Sequence, residues 1–170
     1  MKIFISGVAG FIGFHLSNSL LGKDTEILGV DNLNNYYDTK LKKRRLENLL
    51  FKDNFKFLQV DLLNQDNLKS CFADFNPDIV INLAAQAGVR YSLINPSSYL
   101  DSNILSFLHI LNLSEVFEVE RFIYASSSSV YGDEKKIPFS ENFENLNPSS
   151  LYGKTKLANE IIAHNNKNLK

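Results

Sequence analysis

Tyr152 and Lys156 stand four residues apart in the run Tyr152-Gly153-Lys154-Thr155-Lys156. In a helix that spacing stacks the two side chains on one face, one turn apart. An ammonium held beside a phenol favours the phenolate and lowers the tyrosine pKa. Such a pair is a general base able to work near neutral pH. Four-residue spacings of this kind also arise by chance, so its meaning depends on what the upstream chain can bring to it.

Gly7-Val8-Ala9-Gly10-Phe11-Ile12-Gly13 directly follows the first apolar run and opens a helical pattern. Glycines there permit a tight turn and close approach of backbone to a pyrophosphate. The free N–H groups of a helix start favour the phosphates. The spacing departs from the usual Gly-x-Gly beginning of dinucleotide fingerprints, so its context matters. Asp31 supplies that context, eighteen residues after Gly13 and at the end of the second strand pattern. A carboxylate there accepts from an adenosine ribose and repels a 2′-phosphate, which favours NAD over NADP. Asp61 ends the third strand pattern and reads either as a contact to the adenine edge or as a helix cap. Ala84-Ala85-Gln86-Ala87-Gly88-Val89-Arg90 follows the fourth strand pattern, and Ser126-Ser127-Ser128-Ser129 follows the fifth. Carboxyl ends of strands are where ligands bind in open α/β sheets. A serine hydroxyl in that loop can bond a substrate oxygen while Tyr152 handles a proton.

The elements that must position these residues alternate along the chain. Strands are expected at Lys2–Ser6, Glu26–Val30, Phe55–Val60, Asp78–Leu83 and Arg121–Ala125. Helices are expected at about Phe11–Leu21, Thr39–Phe51 with Asp38 or Thr39 as N-cap, Gln65–Phe75, Pro96–Phe117 and Ser150–Asn168. Uniformly apolar strands alternating with helices imply a doubly wound parallel sheet, a Rossmann-like α/β fold, covered on both faces. One such domain spans residues 1–170. The Pro96–Phe117 helix carries apolar residues nearly all round, so it is buried on more than one side, by the sheet and either by a second copy or by the rest of a larger monomer. Lys40, Lys42, Lys43, Arg44 and Arg45, interleaved with leucines, read as a solvated helix face.

Composition bounds the function. The chain has 170 residues and a net charge of −1, which offers no electrostatic case for nucleic acid. Cys71 is the single cysteine, so no internal disulfide forms, and a reducing cytoplasm fits best. Cys71 itself reads as a buried apolar residue. The short run Met1–Ile5 meets Gly7 too soon to be a signal peptide or a membrane span. His15, His109 and His164 read as structural or exposed residues, and no cluster has metal-ligand spacing.

Taken together, the glycine turn, Asp31, the serine loop and the Tyr-x-x-x-Lys pair resemble an extended short-chain dehydrogenase/reductase of the NAD-dependent epimerase/dehydratase family. Three stretches are most similar to UDP-glucuronate 4-epimerases: residues 31–38, residues 82–92 and residues 124–132. The resemblance implies redox epimerisation of a nucleotide sugar at carbon 4 with retained NAD. Tyr152 would be the base, Lys156 would tune it and hold the nicotinamide ribose, and Ser127 would bond the 4-oxygen with Ser128 close by. Gly7, Gly10, Phe11, Ile12, Gly13, Asp31, Asn32, Asp61, Leu62, Leu83, Ala84, Ala85 and Asn103 would contact NAD. Gln86 and Arg90 would face substrate, a structural salt bridge being the other reading for Arg90. The resemblance also implies a homodimer through the 96–117 and 150–168 helices. Related dehydratases and decarboxylases carry acidic residues in the loop where this chain has Ser128 and Ser129, which favours epimerisation. The resembled family continues past the last helix with more strands and a sugar-binding domain, whereas this sequence stops at Lys170. Two functions from different classes therefore remain at this point: the catalytic half of an epimerase, or a catalytically silent NAD-binding module.

Overall fold

The computed structural model describes residues 1–22, 24–142 and 146–166. Five strands form one parallel sheet: β1 (Lys2–Ser6), β2 (Glu26–Asp31), β3 (Phe55–Gln59), β4 (Ile79–Asn82) and β5 (Arg121–Tyr124). Their order is β3-β2-β1-β4-β5. The order reverses between β1 and β4, so the loops after these two strands leave to opposite faces and a crevice opens at their carboxyl ends.

Alternation along β1 divides the core into two layers. Phe4 points into one face with Leu28, Val30, Phe72, Val80 and Ile110, beneath α3 (Gln65–Phe75) and α5 (Ser106–Val116). Ile3 and Ile5 point into the other with Ile27, Leu46, Leu49 and Ile81, beneath α1 (Phe11–Leu20) and α2 (Thr39–Leu50). The expected covering of both faces holds for the three inner strands. The edge strands are different: Leu58 on β3 is 45% exposed and Ile123 on β5 is 49% exposed.

The helix expected at Pro96–Phe117 is not uniform. It begins as α4 (Pro96–Tyr99), capped by Asn95, whose side chain accepts from Ser98 N. It widens to a π-helical segment at Leu100–Leu105 before α5. Ser106 closes that wide turn by sending both its N–H and its hydroxyl to the Asp101 carbonyl. The insertion rotates the two halves relative to each other, a device common where a helix carries functional groups. Leu100, Leu105 and Val116 along it are exposed in the single chain, on the helix for which a second covering partner is expected. The last helix, α6 (Leu151–Asn165), starts at Ser150, whose side chain accepts from Gly153 N. Its expected end at Asn168 lies outside the described residues.

Candidate active site

A cleft of about 560 Å³ runs along the carboxyl ends of β1, β2 and β4. Behind its Gly7 and Ala84 lining lies a buried hydrogen-bond chain that sequence patterns did not single out. Ser6 Oγ donates to Asn82 Oδ1 at 2.5 Å and accepts from Ala84 N, locking the end of β1 to the end of β4. Gly7 follows at φ 71°, and a Cβ there would come within 2.7 Å of Ala84 N. Only glycine lets the turn run this close to the neighbouring loop. Gly10 then starts α1 with no side-chain cap and no acidic residue in the first turn. The first N–H groups of that helix are therefore left for an anion.

Gly7, Gly10, Phe11, Ile12, Gly13, Asp31, Asn32, Asp61, Leu62, Leu83, Ala84, Ala85 and Gln86 all line this one cleft. Asp31 accepts from Ala9 N at 3.2 Å and Leu33 N at 2.8 Å, so its carboxylate is aimed by the turn it faces. Asp61 does not cap α3, because Asn64 does so by accepting from Asn67 N. Asp61 instead accepts from Leu63 N and from Asn32 Nδ2, tying the walls beyond β2 and β3 together. His109 adds to that wall through its Nδ1 contact with the Leu62 carbonyl at 2.9 Å. The carbonyl can only accept, so Nδ1 carries the proton, and Nε2 accepts from Gln65 Nε2.

The basic run on α2 is not simply a solvated face. Lys42 is buried, with Nζ donating to Asn34 O and Asn34 Oδ1 at 3.0 Å and lying 3.9 Å from Asp31 Oδ1. Burial pushes the Lys42 ammonium below its usual pKa, partly offset by Asp31. Arg45 donates to Ala9 O and to Tyr37 Oη, and its guanidinium sits 5.8 Å from the Phe11 ring centroid. Both cations line the cleft with Tyr36 and Tyr37. Their helical spacing, three apart on the face that starts beside Asp31, was the signal available in the sequence.

The proton-transfer residues gather at the β5 end. Lys156 is buried, and its Nζ donates to the Ala125 carbonyl at 3.0 Å, a residue that itself lines the cleft. Among the described residues Lys156 makes no hydrogen bond to the Tyr152 hydroxyl. Burial lowers its pKa from 10.5 to about 8. Ser127 caps the short 3₁₀ turn Ser128–Tyr131 by accepting from Ser129 N at 3.2 Å, which leaves its own proton free to donate. Ser128 is exposed beside it. Gly153 brings α6 onto this loop: a Cβ there would sit 2.6 Å from the Ser129 carbonyl oxygen. Tyr152, next in sequence, is thereby held against the serine loop, with its ring edge-on to Tyr99 at 6.2 Å.

Two expected ligand residues stand elsewhere. Asn103 lies behind the cleft wall, in the π segment, and is almost fully buried. Its side chain accepts from Gln86 N, donates to Gln86 O and donates to Thr155 Oγ1. Thr155 in turn donates to the Tyr152 carbonyl at 2.8 Å. Asn103 thus clamps the Gln86 loop to the helix of Tyr152. Arg90 is exposed at the start of a 3₁₀ turn and forms no ion pair among the described residues.

Fold and site together define a doubly wound domain of the dinucleotide-binding class, with Ser127, Tyr152 and Lys156 as candidate proton-transfer residues. The family model described as GDP-mannose 4,6 dehydratase matches residues 4–169, and the chain belongs to that family, within the NAD-dependent epimerases and dehydratases. It is 50% identical over 96% of its length to protein CapI of Staphylococcus aureus. It is 44% identical over 94% of its length to a UDP-glucuronate 4-epimerase of Thermodesulfobacterium geofontis. It superposes with TM-score 0.89 at 36% identity on a UDP-glucuronic acid 4-epimerase from Bacillus cereus in complex with UDP-glucuronic acid and NAD, covering 96% of this chain and 51% of that one. The chain spans about half the length of the curated relatives it matches, 49% of each of the two sequences named.

Proposed function

We propose that the chain is the cofactor-binding half of an NAD-dependent nucleotide-sugar 4-epimerase acting on UDP-glucuronate. The observation that carries this is one continuous cleft. It opens at an uncapped helix start beside Asp31 and ends at Ala125, whose carbonyl holds Lys156. The 44% identity to a UDP-glucuronate 4-epimerase and the absence of a carboxylate in the Ser126–Ser129 loop favour epimerisation over dehydration.

The Gly7–Gly13 turn and the first N–H groups of α1 hold the pyrophosphate, and Asp31 accepts from the adenosine ribose. Lys42 and Arg45 add positive charge to the same wall. When bound, NAD supplies a reversible hydride acceptor for carbon 4. Ser127 donates its free proton to the sugar 4-oxygen. Tyr152 takes the proton from the 4-hydroxyl and returns it once the keto sugar has presented its other face. Lys156, with a pKa of about 8, is about nine-tenths charged at pH 7. That charge stabilises a Tyr152 phenolate across the helix turn they share. Ser128 and the exposed Arg90 stand on the substrate side.

A second reading is a catalytically silent NAD-binding module, which fits the lack, among the described residues, of a hydrogen bond from Lys156 to the Tyr152 hydroxyl. Incubating the isolated chain at high concentration with NAD and UDP-glucuronate separates the two. Formation of UDP-galacturonate supports autonomous catalysis. NAD binding without turnover supports the module.

The exposed Leu100, Leu105 and Val116 and the exposed Ile161 on α6 support a homodimer through these helices. A single buried, unpaired Cys71 supports a cytoplasmic setting. No helix among the described residues is long and apolar enough to cross a membrane.

A further inference from the structure

The loops after β2 and β4 leave the sheet on opposite sides of β1, two strand spacings or about 10 Å apart. Between them lies the glycine turn. Yet the loops meet: the Tyr36 ring, from the β2 side, packs on the Tyr91 ring, from the β4 side, with centroids 5.0 Å apart and planes at 54°. Gly88 makes room for this contact. It lies at φ +96°, and a Cβ on it would come within 2.9 Å of the Tyr36 hydroxyl.

The two banks are held differently. On the β4 side the support is buried: Tyr91 packs on Tyr99 at 6.3 Å. Tyr99 is fully buried, and its one hydroxyl proton is shared between the carbonyls of Ala87 and Gly88. On the β2 side the buried Lys42 holds the loop only as far as Asn34, donating to Asn34 O and Oδ1. Beyond that point the support is exposed and local: Tyr36 N donates to Asn34 Oδ1 at 3.3 Å. Tyr36 itself is 43% exposed and lines the same cleft as Gly7 and Asp31. Local side-chain to backbone bonds in solvent open at low cost, whereas a buried aromatic support does not.

We propose that Tyr36 is a retaining residue for the dinucleotide: resting on Tyr91, it spans the mouth of the cleft and slows release of the bound cofactor. The inference rests on the cofactor reading above. It suits that chemistry, because an epimerase that takes a hydride and returns it has no need to exchange its cofactor each turn. The β2 loop swings Tyr36 off Tyr91 to admit the dinucleotide and back to hold it.

The test is stopped-flow fluorescence of NADH binding to the 170-residue chain, with excess NAD as chase, for wild type, Tyr36→Ala and Tyr36→Phe. Removing an aromatic pair of this kind should raise both the release rate and the entry rate about two- to tenfold in Tyr36→Ala. The dissociation constant then changes less than the release rate. Tyr36→Phe, which keeps the ring, should behave as wild type. A faster release with an unchanged entry rate means a simple contact to the cofactor and overturns the clasp, as do wild-type rates in Tyr36→Ala. Wild-type chain that binds no NADH overturns the cofactor reading itself. Tyr36 is exposed, so an unchanged thermal midpoint in Tyr36→Ala separates these effects from unfolding.

Discussion

At the scale of single residues, the ionisable groups answer to burial before they answer to each other. Lys156 shows this best. Its ammonium titrates at about 8 in the fold against 10.5 when solvated, because burial penalises the charge. Below pH 8 both folded and unfolded chains hold the proton, and the fold bears the full cost. Between pH 8 and 10.5 the folded chain sheds the proton first, so this group's contribution to stability rises with pH by up to ~3 kcal/mol. Urea unfolding of wild type against Lys156→Met across that range should show this rise in wild type only; parallel curves would refute it. In the enzyme completed with the segment its relatives possess, Tyr152→Phe should abolish turnover and leave NAD bound, as read by epimerase assay and NAD titration. Asp31→Ala removes a carboxylate that two backbone N–H groups aim at the ribose side of the cleft. NAD affinity should fall by about 2 kcal/mol, measured by calorimetry. An unchanged dissociation constant would remove Asp31 from the site.

At the scale of elements, two departures from regularity set the site. One is the π-helical turn at Leu100–Leu105, which points Asn103 at both backbone groups of Gln86 and at Thr155. The residues of that turn have ordinary helix-forming character, so its position was not readable from periodicity; it is settled by the partners Asn103 finds after folding. The other is the contact between α6 and the serine loop at Gly153. In an isolated helix, alanine is better than glycine by about 1 kcal/mol. Here Gly153→Ala places a Cβ 2.6 Å from the Ser129 carbonyl, which backbone cannot easily yield. The substitution should therefore lower the thermal midpoint despite the better propensity, and weaken turnover of the completed enzyme by displacing Tyr152 from Ser127. A raised midpoint would show that the loop gives way.

At the scale of the whole molecule, the β5 edge stands apart. A groove of about 710 Å³ lies there between α5 and α6, lined by Phe122, Tyr124, Leu157 and Ile161, with the Ser126 hydroxyl bonded to Glu160. It holds no grouping of candidate catalytic residues. Its apolar lining includes Ile161, one of the exposed residues on the helices of the proposed pairing. In the proposed homodimer, Leu100 and Leu105 of the π-helical segment and Val116 of α5 are exposed apolar residues that would meet a second copy. Sedimentation of the chain should give about twice the monomer mass of 19.3 kDa, and Leu105→Glu should return it to monomer. A wild-type monomer would count against pairing through this helix.

Much of the domain was legible in the order of residues alone. Glycines, a strand-end carboxylate and a four-residue tyrosine–lysine spacing are local patterns, and local patterns follow from backbone geometry and helical period. The sequence by itself therefore determined the alternating fold and where the glycine turn, Asp31, the serine loop and the Tyr152/Lys156 pair stand in it. What it left open depends on partners distant along the chain. Lys42 and Arg45 read as solvent-facing until the sheet brought Asp31 and Ala9 beside them. Asp61 read equally as a cap until Asn64 was found capping α3 and Asn32 was found facing it. Asn103 is expected to contact NAD, and only tertiary packing shows its side chain tying Gln86 to Thr155. The meeting of Tyr36 with Tyr91, fifty-five residues later, exists only because parallel crossovers place the ends of β2 and β4 on either side of one turn.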